Sequence, residues 1–226
     1  MNTDLSSLSA IAQGFRTLVP SHVEVDVRRV DPASCLELLP EEAALTGTFC
    51  ANRRNEFATG RQSLHRLLRM HGQSAGPILT GNRRDPILPK GWLASITHCS
   101  NTVATALTRE TFFIGIGIDI ENKQRMTPEI ESIIIDRYEK SSKPQYIDYT
   151  DWLGLHFSAK ESVFKSIYGI IGRYIEFTDI QLSFSDGNFS LKTQQVGTIL
   201  QNFDVTGSTK IIGDLVISAA WVNKKS

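Results

Sequence analysis

Cysteine is scarce in this chain, and what there is cannot form a framework. Cys35, Cys50 and Cys99 are odd in number, show no Cys-x-x-Cys spacing and have no histidine cluster beside them. That excludes a disulfide scaffold or a zinc site and points to a reducing, cytoplasmic setting. No apolar run approaches the roughly 18 residues of a membrane span. The first twenty residues carry Asp4 and no basic start ahead of an apolar run, so no secretory signal is expected. Net charge is also missing: 24 Lys and Arg balance 24 Asp and Glu. A broad basic face for nucleic acid or anionic lipid is therefore not expected, although a local anion pocket is still possible. No segment is of low complexity, and the halves show no repeat at the level of residues.

What is present is ordinary globular material. The 226 residues are 41% hydrophobic and 21% charged, enough for one large domain or two small ones. Val23, Val25 and Val27 alternate with polar residues as in a half-buried strand. A helix is expected from Pro40 to His71, broken near Gly47 and ended by Gly72, followed by a proline-rich loop from Gly76 to Gly91. Leu93 to Thr108 reads as two strands turning near Ser100–Asn101, and Phe112 to Glu121 as a strand. A polar, partly helical excursion follows to about Thr150. A helix from Phe157 to Tyr168, ended by Gly169, precedes a hairpin at Asp186–Gly187 and a last strand from Gly213 to Val222. Strand–helix–strands thus occurs twice, with a seam near Arg109–Thr111 that divides the chain into residues 1–110 and 111–226.

Three segments carry candidate chemistry. In FFIGIGIDIE (112–121), alternation places Phe112, Ile114, Ile116, Ile118 and Ile120 on a core face. Phe113, Gly115, Gly117, Asp119 and Glu121 take the other. Paired glycines on one face mark a close approach to the backbone. Two carboxylates at i and i+2 repel unless a cation or water separates them; hard oxygen donors of this kind suit magnesium at a phosphate-bearing substrate. A charged strand end emerging into solvent fits the same residues. In FSAKESVFK (157–165), Glu161 and Lys165 share a helix face at i and i+4. An ordinary surface pair, or a Ser158-x-x-Glu161 capping box, explains that spacing equally well. Between Arg53 and His71 five arginines face one acid, Glu56. Arginine's planar fork suits phosphate oxygens, and a solvated basic face is the plainer alternative. Gly60 beside Arg61 leaves room for a ligand or backbone. Ser95 and Thr97 share one strand face with Cys99, and His98 lies on the other.

Taken in order, RRNEFATGR (53–61), RDP (84–86), GWLASITHC (91–99), GIDIE (117–121) and FSAKESVFK (157–165) resemble the 4′-phosphopantetheinyl transferases, particularly the type serving enterobactin-like siderophore synthetases. The resemblance implies an α/β (α+β) pseudo-dimer: two similar halves, each a small mostly antiparallel sheet packed with helices, with coenzyme A and magnesium (manganese being possible) in the cleft between them. It implies metal binding by Asp119, Glu121 and Glu161. Arg53, Arg54, Arg61, Arg84, Thr97, His98, Lys160 and Lys165 match positions that contact coenzyme A. Glu161 matches the general base, Lys165 the group that stabilises departing 3′,5′-ADP, and His98 a donor near the diphosphate. The expected partner is an acyl- or peptidyl-carrier protein, docking on Thr127–Ser142, and the chain is expected to be a monomer. Two rivals are a magnesium-dependent phosphohydrolase acting on a nucleotide and a non-catalytic carrier-binding module.

Overall fold

The structure is a computed structural model that describes residues 3–74, 76–81, 85–192 and 198–225, with side chains omitted at 3–7 and 198–199. Elements follow in the order α1 (Thr3–Leu18), β1 (Glu24–Arg29), α2 (Pro40–Ala44), α3 (Ala51–Met70), β2 (Trp92–Cys99), β3 (Thr102–Arg109) and β4 (Gly115–Asn122). Then come α4 (Pro128–Ile134), α5 (Arg137–Ser141), α6 (Tyr149–Ile171), β5 (Leu182–Ser185), β6 (Asn188–Leu191), β7 (Phe203–Ile212) and β8 (Leu215–Lys224). They form two antiparallel sheets packed with helices, one ordered β1-β3-β2 and the other β4-β8-β7-β6-β5.

Short hairpins set the register. Ser100 and Asn101 adopt positive φ (47° and 63°) and pair Cys99 with Thr102, so β2 and β3 turn in two residues as the sequence indicated. Asp186 and Gly187 do the same between β5 and β6. Gly213, expected to open the last strand, instead lies in the β7–β8 turn at φ 60°, and the strand preceding that turn was not anticipated. Helix α1 was also missed, although Ile11, Phe15 and Leu18 recur at helical spacing and are buried.

The second sheet is covered on both faces. Ala159, Val163, Ile167 and Ile171 of α6 pack on one, with Leu182, Phe189, Val205, Ala220 and Val222. On the other, Ile116, Ile118 and Ile120 of β4 join Ile11 and Phe15 of α1, Ala104 and Ala106 of β3, and Ile217 of β8 in a core shared by both sheets. The predicted alternation of Ile116, Ile118 and Ile120 against Gly117, Asp119 and Glu121 is real, but Ile114 packs with the α6 core and Phe113 with the shared core, the reverse of the expectation, and the strand begins at Gly115. Phe112 lies before it and is 45% exposed. The predicted long helix is indeed broken, into α2 and α3, whereas α6 starts eight residues before Phe157 and runs past Gly169 to a left-handed cap at Gly172 (φ 68°).

The glycines of β4 have a specific partner. A Cβ on Gly115 would stand 1.9 Å from the Ser166 carbonyl oxygen, and one on Gly117 would stand 2.0 Å from that of Ser162. The close approach is made by the backbone of α6, not by a ligand. Gly60 behaves alike: its missing Cβ leaves room for Ile96 of β2. Because Ser162 and Ser166 belong to a long helix that cannot yield locally, Gly117→Ala is expected to destabilise the protein by about 1–3 kcal/mol. Urea denaturation measures this, and turnover should fall with it because α6 is pushed off β4.

Candidate functional site

Strand β4 is an edge of its sheet, paired only with β8, so its outward N–H groups need partners from elsewhere. Strand β2 supplies them with side chains. The Ile118 N–H donates to Ser95 Oγ (3.0 Å) and the Ile120 N–H to Thr97 Oγ1 (3.3 Å). Thr97 in turn donates its own proton to Asp119 Oδ1 at 3.1 Å. The two sheets are thus joined at the seam by hydroxyl groups, and the same hydroxyl that closes the edge holds a carboxylate.

Asp119 is 2% exposed. Its Oδ1 also accepts from Lys165 Nζ at 2.7 Å, and Lys165 reaches the Ile118 carbonyl at 3.2 Å. Its Oδ2 is buried and has no hydrogen-bond partner among the described residues. An orphaned oxygen on a buried carboxylate is costly. Glu121, two residues along on the same face, has its pKa pushed up to about 8 by burial, by the charge of Asp119 and by that of Glu161, with Lys165 opposing. The Glu161 carboxyl is raised by burial and by Asp119, again against Lys165. Burial would lower the Lys165 ammonium, yet Asp119, Glu161 and Glu121 together raise it. Three acids from two segments therefore act on one another and on a single ammonium.

Among the described residues no three acidic, histidine or cysteine side chains already stand at metal-binding distance. The donor set nevertheless fits a hard cation: three carboxyls, one with a buried oxygen unpartnered among the described residues, whose mutual repulsion at Glu121 outweighs the opposition of Lys165 and Arg125. The capping-box reading fails, because Ser158 and Glu161 lie in the middle of α6 and Ser158 is fully buried.

The other expected residues divide. His98 stands at the rim, where its Nε2 lies 2.7 Å from Arg53 Nη1 and its Nδ1 lies 3.2 Å from Glu56 Oε2. Arginine can only donate, so Nε2 accepts and the proton sits on Nδ1. Partial burial lowers the His98 pKa; Glu56 opposes this, while Arg53 and Lys165 add to it. In this state the one N–H of His98 faces Glu56 and its other nitrogen accepts from Arg53, which departs from the expected donor role. Arg54 is exposed on the first turn of α3. Arg61 is 3% exposed, lies over the Phe57 ring and donates to the Ile78 carbonyl (2.8 Å) and Thr80 Oγ1 (3.1 Å). It shapes the loop ahead of residue 82, and burial lowers its pKa to about 10. Arg84 lies outside the described residues. Thr97 holds Asp119, where a coenzyme A contact was expected.

Lys160 requires the clearest correction. It is completely buried, and its three protons go to the Ile134 carbonyl (2.6 Å), Glu139 Oε2 (2.5 Å) and the Phe177 carbonyl (3.0 Å). No proton is left for coenzyme A. Glu139 also accepts from the Leu182 N–H at 2.9 Å. Sequence reasoning missed Glu139, Glu56 and Ser95. Only the Asp136-x-x-Glu139 capping box left a visible signal for one of them.

Residues 41–108 match the 4′-phosphopantetheinyl transferase N-terminal domain, and residues 115–220 match the 4′-phosphopantetheinyl transferase superfamily. The chain belongs to the 4′-phosphopantetheinyl transferase family. It is 31% identical over 179 residues to 4′-phosphopantetheinyl transferase Svp of Streptomyces mobaraensis, covering 75% of this chain and 70% of that one. To 4′-phosphopantetheinyl transferase PptT of Mycobacterium tuberculosis it is 29% identical over 172 residues, 76% and 74% of the two chains. Enterobactin synthase component D of Salmonella typhi is 34% identical over 117 residues, 50% of this chain and 48% of that one.

Two measurements test this geometry. Lys160→Met leaves Glu139 charged and buried, so stability is expected to fall by about 3–5 kcal/mol in urea denaturation. In metal-free protein, folded Glu121 keeps its proton up to about pH 8, whereas an unfolded glutamate loses it near 4.5. The folded state then binds more protons between these values, so stability declines as pH rises through that window. Denaturation in chelator at the two ends of the window is expected to show the decline, and Glu121→Gln to flatten it.

Proposed function

We propose that this chain transfers 4′-phosphopantetheine from coenzyme A to a serine of an acyl- or peptidyl-carrier protein, releasing adenosine 3′,5′-bisphosphate. The observation that carries the reading is Asp119 at the seam, with one oxygen held by Thr97 and Lys165 and the other buried and unpartnered among the described residues, in the company of Glu121 and Glu161. Asp119, Glu121 and Glu161 are the residues that would hold magnesium, or manganese. The ion would neutralise the diphosphate oxygens and draw off charge as the P–O bond breaks.

The chain's own groups account for the rest. Arg53, paired with neutral His98, presents its guanidinium at the rim of the site, and Arg54 and Arg84 are further candidates for the nucleotide phosphates. Glu161, made more basic by burial and by Asp119, takes the proton of the carrier serine. The serine oxygen bonds to the phosphorus bearing pantetheine, and the bond to the 5′-phosphate of adenosine 3′,5′-bisphosphate breaks. Lys165, whose ammonium is held charged by three acids, offsets the negative charge that develops on the leaving group.

The carrier is proposed to dock on residues 127–142, where Ile133 and Tyr138 are 58% and 63% exposed and the buried Lys160–Glu139 pair fixes the segment. A siderophore or other secondary-metabolite pathway and a cytoplasmic location fit the relatives and the free thiols. No helix among the described residues is long and apolar enough to cross a membrane.

Glu161→Gln preserves the size of the side chain but removes the base and its charge. Turnover, read as the gain of one phosphopantetheine arm on intact carrier, is expected to fall by about 10²–10⁴-fold. Full retention of turnover, or release of inorganic phosphate without carrier modification, would overturn the assignment.

A further inference from the structure

A cleft of about 600 Å³ lies beside the first half of α6, between the segment carrying Tyr138 and the β5–β7 strands. Asp119, Glu121, Glu161 and Lys165 do not line it, so it is distinct from the transfer site. Its walls include Tyr138, Trp152 and Phe184, and Lys192 and Lys210 stand exposed where it meets solvent, with Asp186 nearby. An aromatic-walled cavity of this size with a few convergent polar groups is the usual form of a small-molecule site.

His156 gives the cleft its chemistry. The ring is 3% exposed and packs against Trp152 and Phe184, with centroids 5.0 and 4.6 Å away. Its Nδ1 is buried and faces Glu139 Oε1 at 3.6 Å, just beyond hydrogen-bond distance, with no hydrogen-bond partner among the described residues. Glu139 is already neutralised by Lys160, and burial lowers the His156 pKa, so the ring is neutral. The nearby carboxylate favours the proton on Nδ1. His156 lines the cleft, and with the proton on Nδ1 its Nε2, which has no partner among the described residues, is the ring atom left to accept a hydrogen bond there. His156 at the floor, flat aromatic walls and two ammonium groups, with Glu139 neutralised by Lys160 and Asp186 the other carboxylate of the lining, specify a complementary shape.

We propose that this cleft binds a small aromatic acid, its ring lodged against Trp152 and Phe184, a hydroxyl or N–H donating to His156 Nε2, and its anionic group at Lys192 and Lys210. The site needs neither coenzyme A nor metal.

The probe is 6-hydroxy-2-naphthoate, which carries a donor and a carboxylate at opposite ends of a flat ring. Titration into the full chain is expected to give saturable one-site binding by calorimetry with quenching of tryptophan fluorescence. Trp152→Phe should remove most of the quenching while calorimetric binding persists. The surface double variant Lys192→Gln with Lys210→Gln, which disturbs no core packing, and the methyl ether 6-methoxy-2-naphthoate should each weaken affinity about tenfold. Carrier modification by the double variant should be unchanged, which separates this site from the transfer chemistry. Absence of saturable binding, equal affinity in the double variant, or displacement of the probe by coenzyme A would each overturn the proposal.

Discussion

One hydroxyl organises the seam of this molecule. Thr97 accepts the otherwise open N–H of an edge strand and passes its own proton to Asp119, so fold closure and site assembly share a side chain. With Ser95 beside it, β2 substitutes side-chain oxygens for the carbonyls of a missing neighbouring strand. An edge left bare invites pairing with other chains. Here it is covered in a way that also fixes a carboxylate within hydrogen-bond reach of Lys165. The shared apolar core beneath, from α1 through β3 and β4 to β8, keeps the sheets from separating.

The electrostatics follow from that placement. A carboxylate held at 2% exposure raises the proton affinity of the acids around it, and the ammonium of Lys165 becomes the cation they share. The backbone between these groups is held by the close contacts of Gly115 and Gly117 with α6, so the fold itself sets the spacing of the cluster.

Much of this was legible in the sequence. Two glycines followed by two acids on one strand face announced both a close approach and a charged cluster, and the order of motifs announced the family. The hairpins at Ser100–Asn101 and Asp186–Gly187 were written in turn chemistry. What approached Gly115 and Gly117 was not legible, because a missing Cβ records that something is near, not whether it is ligand or helix. The start of α6 was obscured by Gly154 and by the mixed residues Tyr149–His156, whose helical state follows from the burial of Trp152, Leu153 and His156. The roles of Arg61 and Lys160 were hidden for a related reason: a cation in a motif reads as a ligand contact until its partners, a loop carbonyl 17 residues on or Glu139 21 residues back, are known. Long-range pairing of that sort has no local signature.

Neighbouring residues 160 and 161 put opposite charges on different sides of one helix. Lys160 points into the interior towards Glu139, and Glu161 acts on the acids of β4. A slip of α6 by a single position would set carboxylate against carboxylate inside the protein and strand an ammonium elsewhere. The helix is therefore locked in phase by a misalignment penalty at two separate points along it, much as a key with two wards admits one depth of insertion.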